Sequence, residues 1–299
     1  MRLRFDLNTL PGQTVSFFLP RKGPAKMVDG DSYRSLTQQL RRAGETWNTP
    51  TSALQVRFGG YTDQAFADVL TDQVTPGIEV VFDDDLPPGV LALSEPLTYT
   101  DLKYLGEKTS PGFAPILRSR LQLASDLAGR GQASYSDEFF ATLVHEFGHT
   151  LGLQHSMTGG AMSTSVTRGT SKANPLTADD VAGISVLYPT PEFAVYTGSV
   201  TGKVSVGGVG ANLASVVALA SDGTAVGSMT LPDGTYRIDG LPPGDYLIYA
   251  HPLPPAQQGE ANPAGIVPPQ DLVHQPFLAA AAFETDRKST RLNSSHVAL

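Results

Sequence analysis

Between His145 and His155 the chain reads H-E-F-G-H-T-L-G-L-Q-H, and these eleven residues constrain the fold more than any other stretch. Two histidines four residues apart lie on one face only if the segment is helical. Gly152 then supplies a residue that adopts a left-handed backbone without penalty, so the helix can stop there and the chain can turn sharply. A third histidine at position 155 of a continued helix would point in the wrong direction; after the turn, His155 swings back toward His145 and His149. Three imidazoles with a fourth position open form the donor set of a catalytic rather than a structural zinc. Glu146 sits beside these ligands without being needed as one, where it can take a proton from water. The other three histidines, His251, His274 and His296, lie far along the chain and form no rival cluster.

Composition narrows the setting of this motif. The absence of cysteine excludes disulfides, thiol catalysis and Cys-ligated zinc together. The 30 Gly and 23 Pro among 299 residues exceed the average usage of roughly 12% and point to turns, long loops and β-structure rather than a helical bundle. A net charge of -8 with no stripe of Lys and Arg argues against nucleic acid or an anionic membrane surface as partner. No apolar run approaches the roughly 18 residues of a spanning helix.

Along the chain, VSFFL (15–19), LQVRF (54–58), IEVVF (78–82), GVLALSEP (89–96) and ILRSRLQLA (116–124) read as strands; the Gly59-Gly60 pair is expected to end the second, and Pro96 marks the fourth as an edge. A helix capped by Asp31 or Ser32 runs toward Trp47, and a second, capped by Ser136, carries the histidine motif. Thr177 and Asp180 form a capping box for a third helix, ADDVAGISVLY, that Pro189 ends. Alternating strands and helices predict an α/β (α+β) domain with a mixed twisted sheet over residues 1–191. From Glu192 the texture changes to GKVSV, SVVALA, TYRI and DYLIYA between SDG, PDG and LPPG turns, which predicts an all-β sandwich over 192–255. Residues 256–285 read as a Pro-rich extension. Residues 286–299, with DRKSTRLNSSH, resemble a reading frame of a common sequencing adapter and are expected to be a non-native, unstructured tail.

With these residues in view, HEFGHTLGLQH is similar to the metzincin signature. Ser156 after the third histidine, Met162 in GGAMSTS and the LTADDVAGISVLYP run resemble the matrixin branch, loosely supported by Trp47, IEVVF and GVLALSEP in the same order. The resemblance implies a zinc endopeptidase of polypeptide substrates, with His145, His149 and His155 as ligands and Glu146 as general base. It implies Met162 as the methionine turn, in preference to Met157, and Leu91, Ala92, Leu93 and Ser94 as an edge strand that pairs with extended substrate. There are departures. Ser163, Thr164 and Ser165 stand where matrixins usually carry Tyr-Pro, and the loop for a second, structural zinc has no counterpart, so one zinc is expected. Asp83, Asp84 and Asp85 are calcium-type ligands, but a solvated acidic loop is the preferred reading. Tyr104, Tyr135 and Tyr188 are chemically suited to stabilise an oxyanion, and none is assigned that role.

GSVTGKVSV followed by LPDGTYRIDGLPPGDYLIYAHP resembles the carboxypeptidase regulatory-like, transthyretin-like domains, which implies an appendage without catalytic groups. A monomer is expected. Because a broad endopeptidase without a cysteine switch is hazardous in a cytoplasm, export is expected, with a leader upstream of Met1. The competing reading, from a different class, is a non-catalytic zinc-containing surface protein whose sandwich binds a partner.

Overall fold

The computed structural model describes residues 2–63, 76–98, 113–164, 167–253 and 295–298. Tyr104, Ser165 and the 256–285 extension lie outside the described residues. Contacts group the chain into two compact units, Met1–Gln154 with Thr170–Pro175, and His155–Gly169 with Leu176–Leu299.

The first unit is built on β1 (Arg2–Arg4), β2 (Thr14–Pro20), β3 (Gln55–Thr62), β4 (Ile78–Asp83), β5 (Ala92–Thr98) and β6 (Phe113–Ala124), with helices α1 (Tyr33–Glu45) and α2 (Asp137–Thr150). The strand order is β1-β6-β4-β2-β3, with β5 also on β6. The pairings in that path are parallel, and β5 alone runs antiparallel to its neighbour. Alternation explains β2, where Val15, Phe17 and Leu19 are buried between partly exposed residues. All five expected strands are present, and the short, charged β1 lacks the alternation that would have revealed it.

One expectation is corrected here. The Gly59-Gly60 pair does not end β3: the register passes from Phe17 opposite Phe58 to Phe18 opposite Gly60, so Gly59 is an extra residue and the strand continues to Thr62. The pair makes a bulge, which glycine tolerates as readily as a stop.

Ser32 is the N-cap of α1, accepting from Ser35 N–H. Asp31 has a different task. Its carboxylate accepts from the backbone N–H and hydroxyl of Ser134 at 2.7 Å each, which anchors the start of α1 to the approach of α2. Leu36, Leu40 and Ala43 bury the inner face of α1, and Trp47 beyond it is wholly buried. Each such large apolar side chain stabilises by roughly 1.5–3 kcal/mol.

In the second unit, α3 (Ala178–Leu187) and the short α4 (Phe193–Tyr196) precede β7 (Gly198–Lys203), β8 (Ser205–Val206), β9 (Val209–Gly210), β10 (Ser215–Ala220), β11 (Ala225–Met229), β12 (Thr235–Leu241) and β13 (Asp245–His251). β11, β10 and β13 form one antiparallel sheet, while β7 pairs with β12 and β8 with β9. The expected GKVSV strand is thus divided between β7 and β8. AVGSM forms a strand that its glycine and serine disguise. Apolar residues of these strands, among them Val200, Val226, Ile238 and Leu241, form a core that includes Ala182 of α3. β14 (Ser295–Ala298), in the tail expected to be unstructured, pairs antiparallel with β13, whose open edge offers unpaired backbone groups. Among the described residues no helix is long and apolar enough to cross a membrane.

Candidate metal centre

Helix α2 is placed by its ends and by three side chains. Ser136 caps it, accepting from Phe139 N–H at 3.1 Å, and Asp137 and Glu138 occupy the first turn, where their charge suits the helix dipole. Along its length, Trp47 Nε1–H donates to the Val144 carbonyl at 3.0 Å, Ser94 Oγ–H to the Glu146 carbonyl at 2.8 Å, and Ser119 Oγ–H to the Thr150 carbonyl at 2.7 Å. Donors from a loop and two strands therefore fix the position and rotation of the helix.

Its last turn closes by a Schellman motif. Gly152 N–H donates to the His149 carbonyl at 2.9 Å and Leu153 N–H to the Gly148 carbonyl at 3.0 Å, with Gly152 at φ +102°. A Cβ at Gly152 would lie 2.1 Å from the Leu3 carbonyl oxygen, so both backbone and space require glycine. This turn returns the Leu153 carbonyl to the helix, where it lies 2.9 Å from His149 Nδ1. A carbonyl only accepts, so Nδ1 carries the proton and Nε2 presents its lone pair.

That lone pair faces His145 Nε2 at 3.1 Å. Two imidazole nitrogens on one tetrahedral zinc, at Zn–N near 2.05 Å, stand about 3.4 Å apart. Nitrogen atoms of His145, His149 and His155 all lie within 4.8 Å of one another, with His145 buried and the other two half-buried. The donor set therefore fits a zinc ion, and the fold brings together the three histidines of the motif.

Glu146, next to the first ligand, is buried to 8% exposure, and Ser94 Oγ is 2.6 Å from its Oε2. Of the four residues expected to pair with substrate, Leu91 precedes β5 and is half-buried, while on the strand Ala92 is buried, Leu93 exposed and Ser94 half-buried. Met162 is buried, and its carbonyl accepts from Ser156 N–H, the residue after His155, at 3.0 Å. Tyr188 is buried and Tyr135 exposed.

Behind His155 stand two acids: Asp179, which the sequence does not single out, and Asp180, which has partners beyond its capping box. Asp180 is indeed the N3 residue of the capping box, but its carboxylate also accepts from Ala161 N–H at 2.8 Å and Met162 N–H at 3.0 Å. Asp179 accepts from the Ser156 hydroxyl and, at 2.7 Å each, from the Thr158 hydroxyl and Gly227 N–H. Burial pushes its carboxyl above the usual range, and those hydrogen bonds draw it partly back. The further partners of these acids lie in other segments, so no local pattern announces them.

A family model described as Matrixin matches residues 37–189, just over half of the chain. No curated protein matches the chain.

Proposed function

The chain belongs to the matrixin family of metallopeptidases, and from that premise we propose that it is an endopeptidase carrying one zinc at His145, His149 and His155. The observation that carries this is the convergence of those three imidazoles, two of them beside Glu146 on one pinned helix and the third from the turn that follows it. Zinc, when bound, supplies Lewis acidity that polarises a scissile carbonyl and makes water acidic enough to attack near neutral pH. Glu146 accepts the proton of the attacking water and passes it to the leaving amine as the C–N bond breaks, so no covalent enzyme intermediate is needed. The single Ser94 hydroxyl proton is shared between the Glu146 carbonyl and Oε2, which ties that carboxylate to the helix backbone in one orientation. Leu91, just before the antiparallel β5, and Ala92 to Ser94 on it pair with the backbone of an extended polypeptide. Met162 forms the methionine turn, and its buried position and its contact with Ser156 support this.

We also propose that residues 1–191 are the matrixin-like peptidase, that the strands of 192–255 form a β-sandwich of the carboxypeptidase regulatory-like kind, and that the protein works outside the cell. The antiparallel sheets around one apolar core support the second reading, and the acidic composition suits the third. Cell fractionation tests the third, since activity confined to the cytoplasmic fraction would contradict it.

The test of the activity is a quenched-fluorescent peptide library with zinc-loaded protein and its Glu146→Ala variant. Cleavage by the first, with a loss of at least a hundredfold in the second, supports the mechanism. Zinc binding without turnover in the wild type would instead mark a non-catalytic zinc protein.

A further inference from the structure

Asp179 is a buried acid that the proposed reaction does not use, and its three partners come from two distant parts of the chain. Ser156 and Thr158 belong to the turn that leaves the third ligand. Gly227 belongs to β11, about seventy residues later, and its N–H donates out of the sheet to Asp179 Oδ1 at 2.7 Å. The approach is close enough that a Cβ at Gly227 would stand 3.0 Å from Thr158 Cγ2. A second close approach lies at the other side of α3, where a Cβ at Gly240 would stand 2.7 Å from the Cβ of Ala182. Helix α3 is thus seated against β11 and β12 at two points without side chains, and Ala182 is part of their core.

We propose that Asp179 and β11 form a strut that positions the turn carrying His155, so that the C-terminal strands help to shape the metal centre. The proposal rests on the reading of His155 as a ligand. Asp179 is a positioning residue: it acts on His155 only through Ser156 and Thr158. Metal ligands lose affinity, typically 10- to 100-fold, when the groups that orient them are removed. An asparagine at 179 can replace the carboxylate, because its oxygen accepts from Gly227 N–H while its amide donates to the hydroxyl oxygens. Leucine has the volume but neither function.

The experiment measures zinc affinity of the full-length chain by competition with a chromophoric chelator, alongside kcat and KM. Asp179→Leu and Gly227→Val should weaken zinc at least tenfold, Asp179→Asn should stay within about twofold of wild type, and Val209→Ser, on the exposed β9, should change nothing. Should Asp179→Leu fail to fold, Gly227→Val reads the same contact from the opposite side with a residue that suits a strand. Zinc affinity within twofold of wild type in folded Asp179→Leu or Gly227→Val would overturn the strut, as would Asp179→Asn falling as far as the leucine variant. A wild-type chain that binds no zinc overturns the metal reading itself, an outcome separate from the others.

Discussion

In the Met1–Gln154 unit, two proposed ligands ride on one helix, and the spacing of His145 and His149 is enough to bring them together once that helix forms. In the His155–Gly169 and Leu176–Leu299 unit, the turn that follows His155 hydrogen-bonds to Asp179 and Asp180, and Asp179 also accepts from Gly227 of β11, about seventy residues away. The first arrangement is local and periodic; the second is assembled by tertiary contacts. The proposed metal site is thus written in one contiguous motif, while the turn at its end is held by residues that the motif does not contain.

The largest effect expected is on the local side. His149→Ala removes a ligand and the Nδ1–H partner of Leu153, and elemental analysis after dialysis should find zinc reduced to a small fraction of one per chain, with peptidase activity at background. If zinc persists at full occupancy, the helix is not the primary holder of the ion.

The next effect lies at the junction of helix and turn. Gly152→Ala places a methyl group against the Leu3 carbonyl in a left-handed backbone, and the strain and clash together should cost about 3 kcal/mol in urea unfolding. A loss below about 1 kcal/mol would mean that the Schellman turn is not what returns the chain toward His149.

The non-local side is probed by a chain ending at Pro191. It lacks Gly227 N–H and leaves Ala182 without the strands it packs on, and it should lose zinc affinity at least tenfold. The sequence supports the opposite expectation, because few periodic segments cross YPTPEF. Full zinc affinity in the shortened chain would reduce the C-terminal strands to an appendage and erase the contrast drawn above.

These cases show which features were legible. The helix starts, the grouping of three histidines and the five expected strands of the first unit follow from caps, spacing and alternation. So does the third helix, since Thr177 and Asp180 make the capping box that their spacing announces. Illegible were features whose cause is another segment: the bulge at Gly59, the donor that Ser94 supplies to Glu146, and Asp179, whose partner Gly227 carries no side chain to signal a role. Asp31 illustrates the same limit, being adjacent to the true cap while its main partner, Ser134, lies about a hundred residues on.

The smallest effect concerns that residue. Burial raises the Asp31 carboxyl, but hydrogen bonds from Ser35, Ser134 and Ser32 outweigh it and hold its pKa below the usual 3.8. A lowered folded pKa means that the contribution is present above the unfolded value and lost as pH falls through the folded one. Asp31→Asn should therefore cost about 1 kcal/mol at pH 7, a modest figure for a half-exposed carboxylate. Thermal melts should show that difference shrinking below pH 4.

The most direct measurement is a zinc titration of the metal-free, full-length chain, with hydrolysis of a quenched peptide followed at each addition. Activity should rise in proportion to bound zinc and level off at one ion per chain. Hydrolysis that persists in the metal-free protein, or a chain saturated with zinc that cleaves no peptide, would contradict the account.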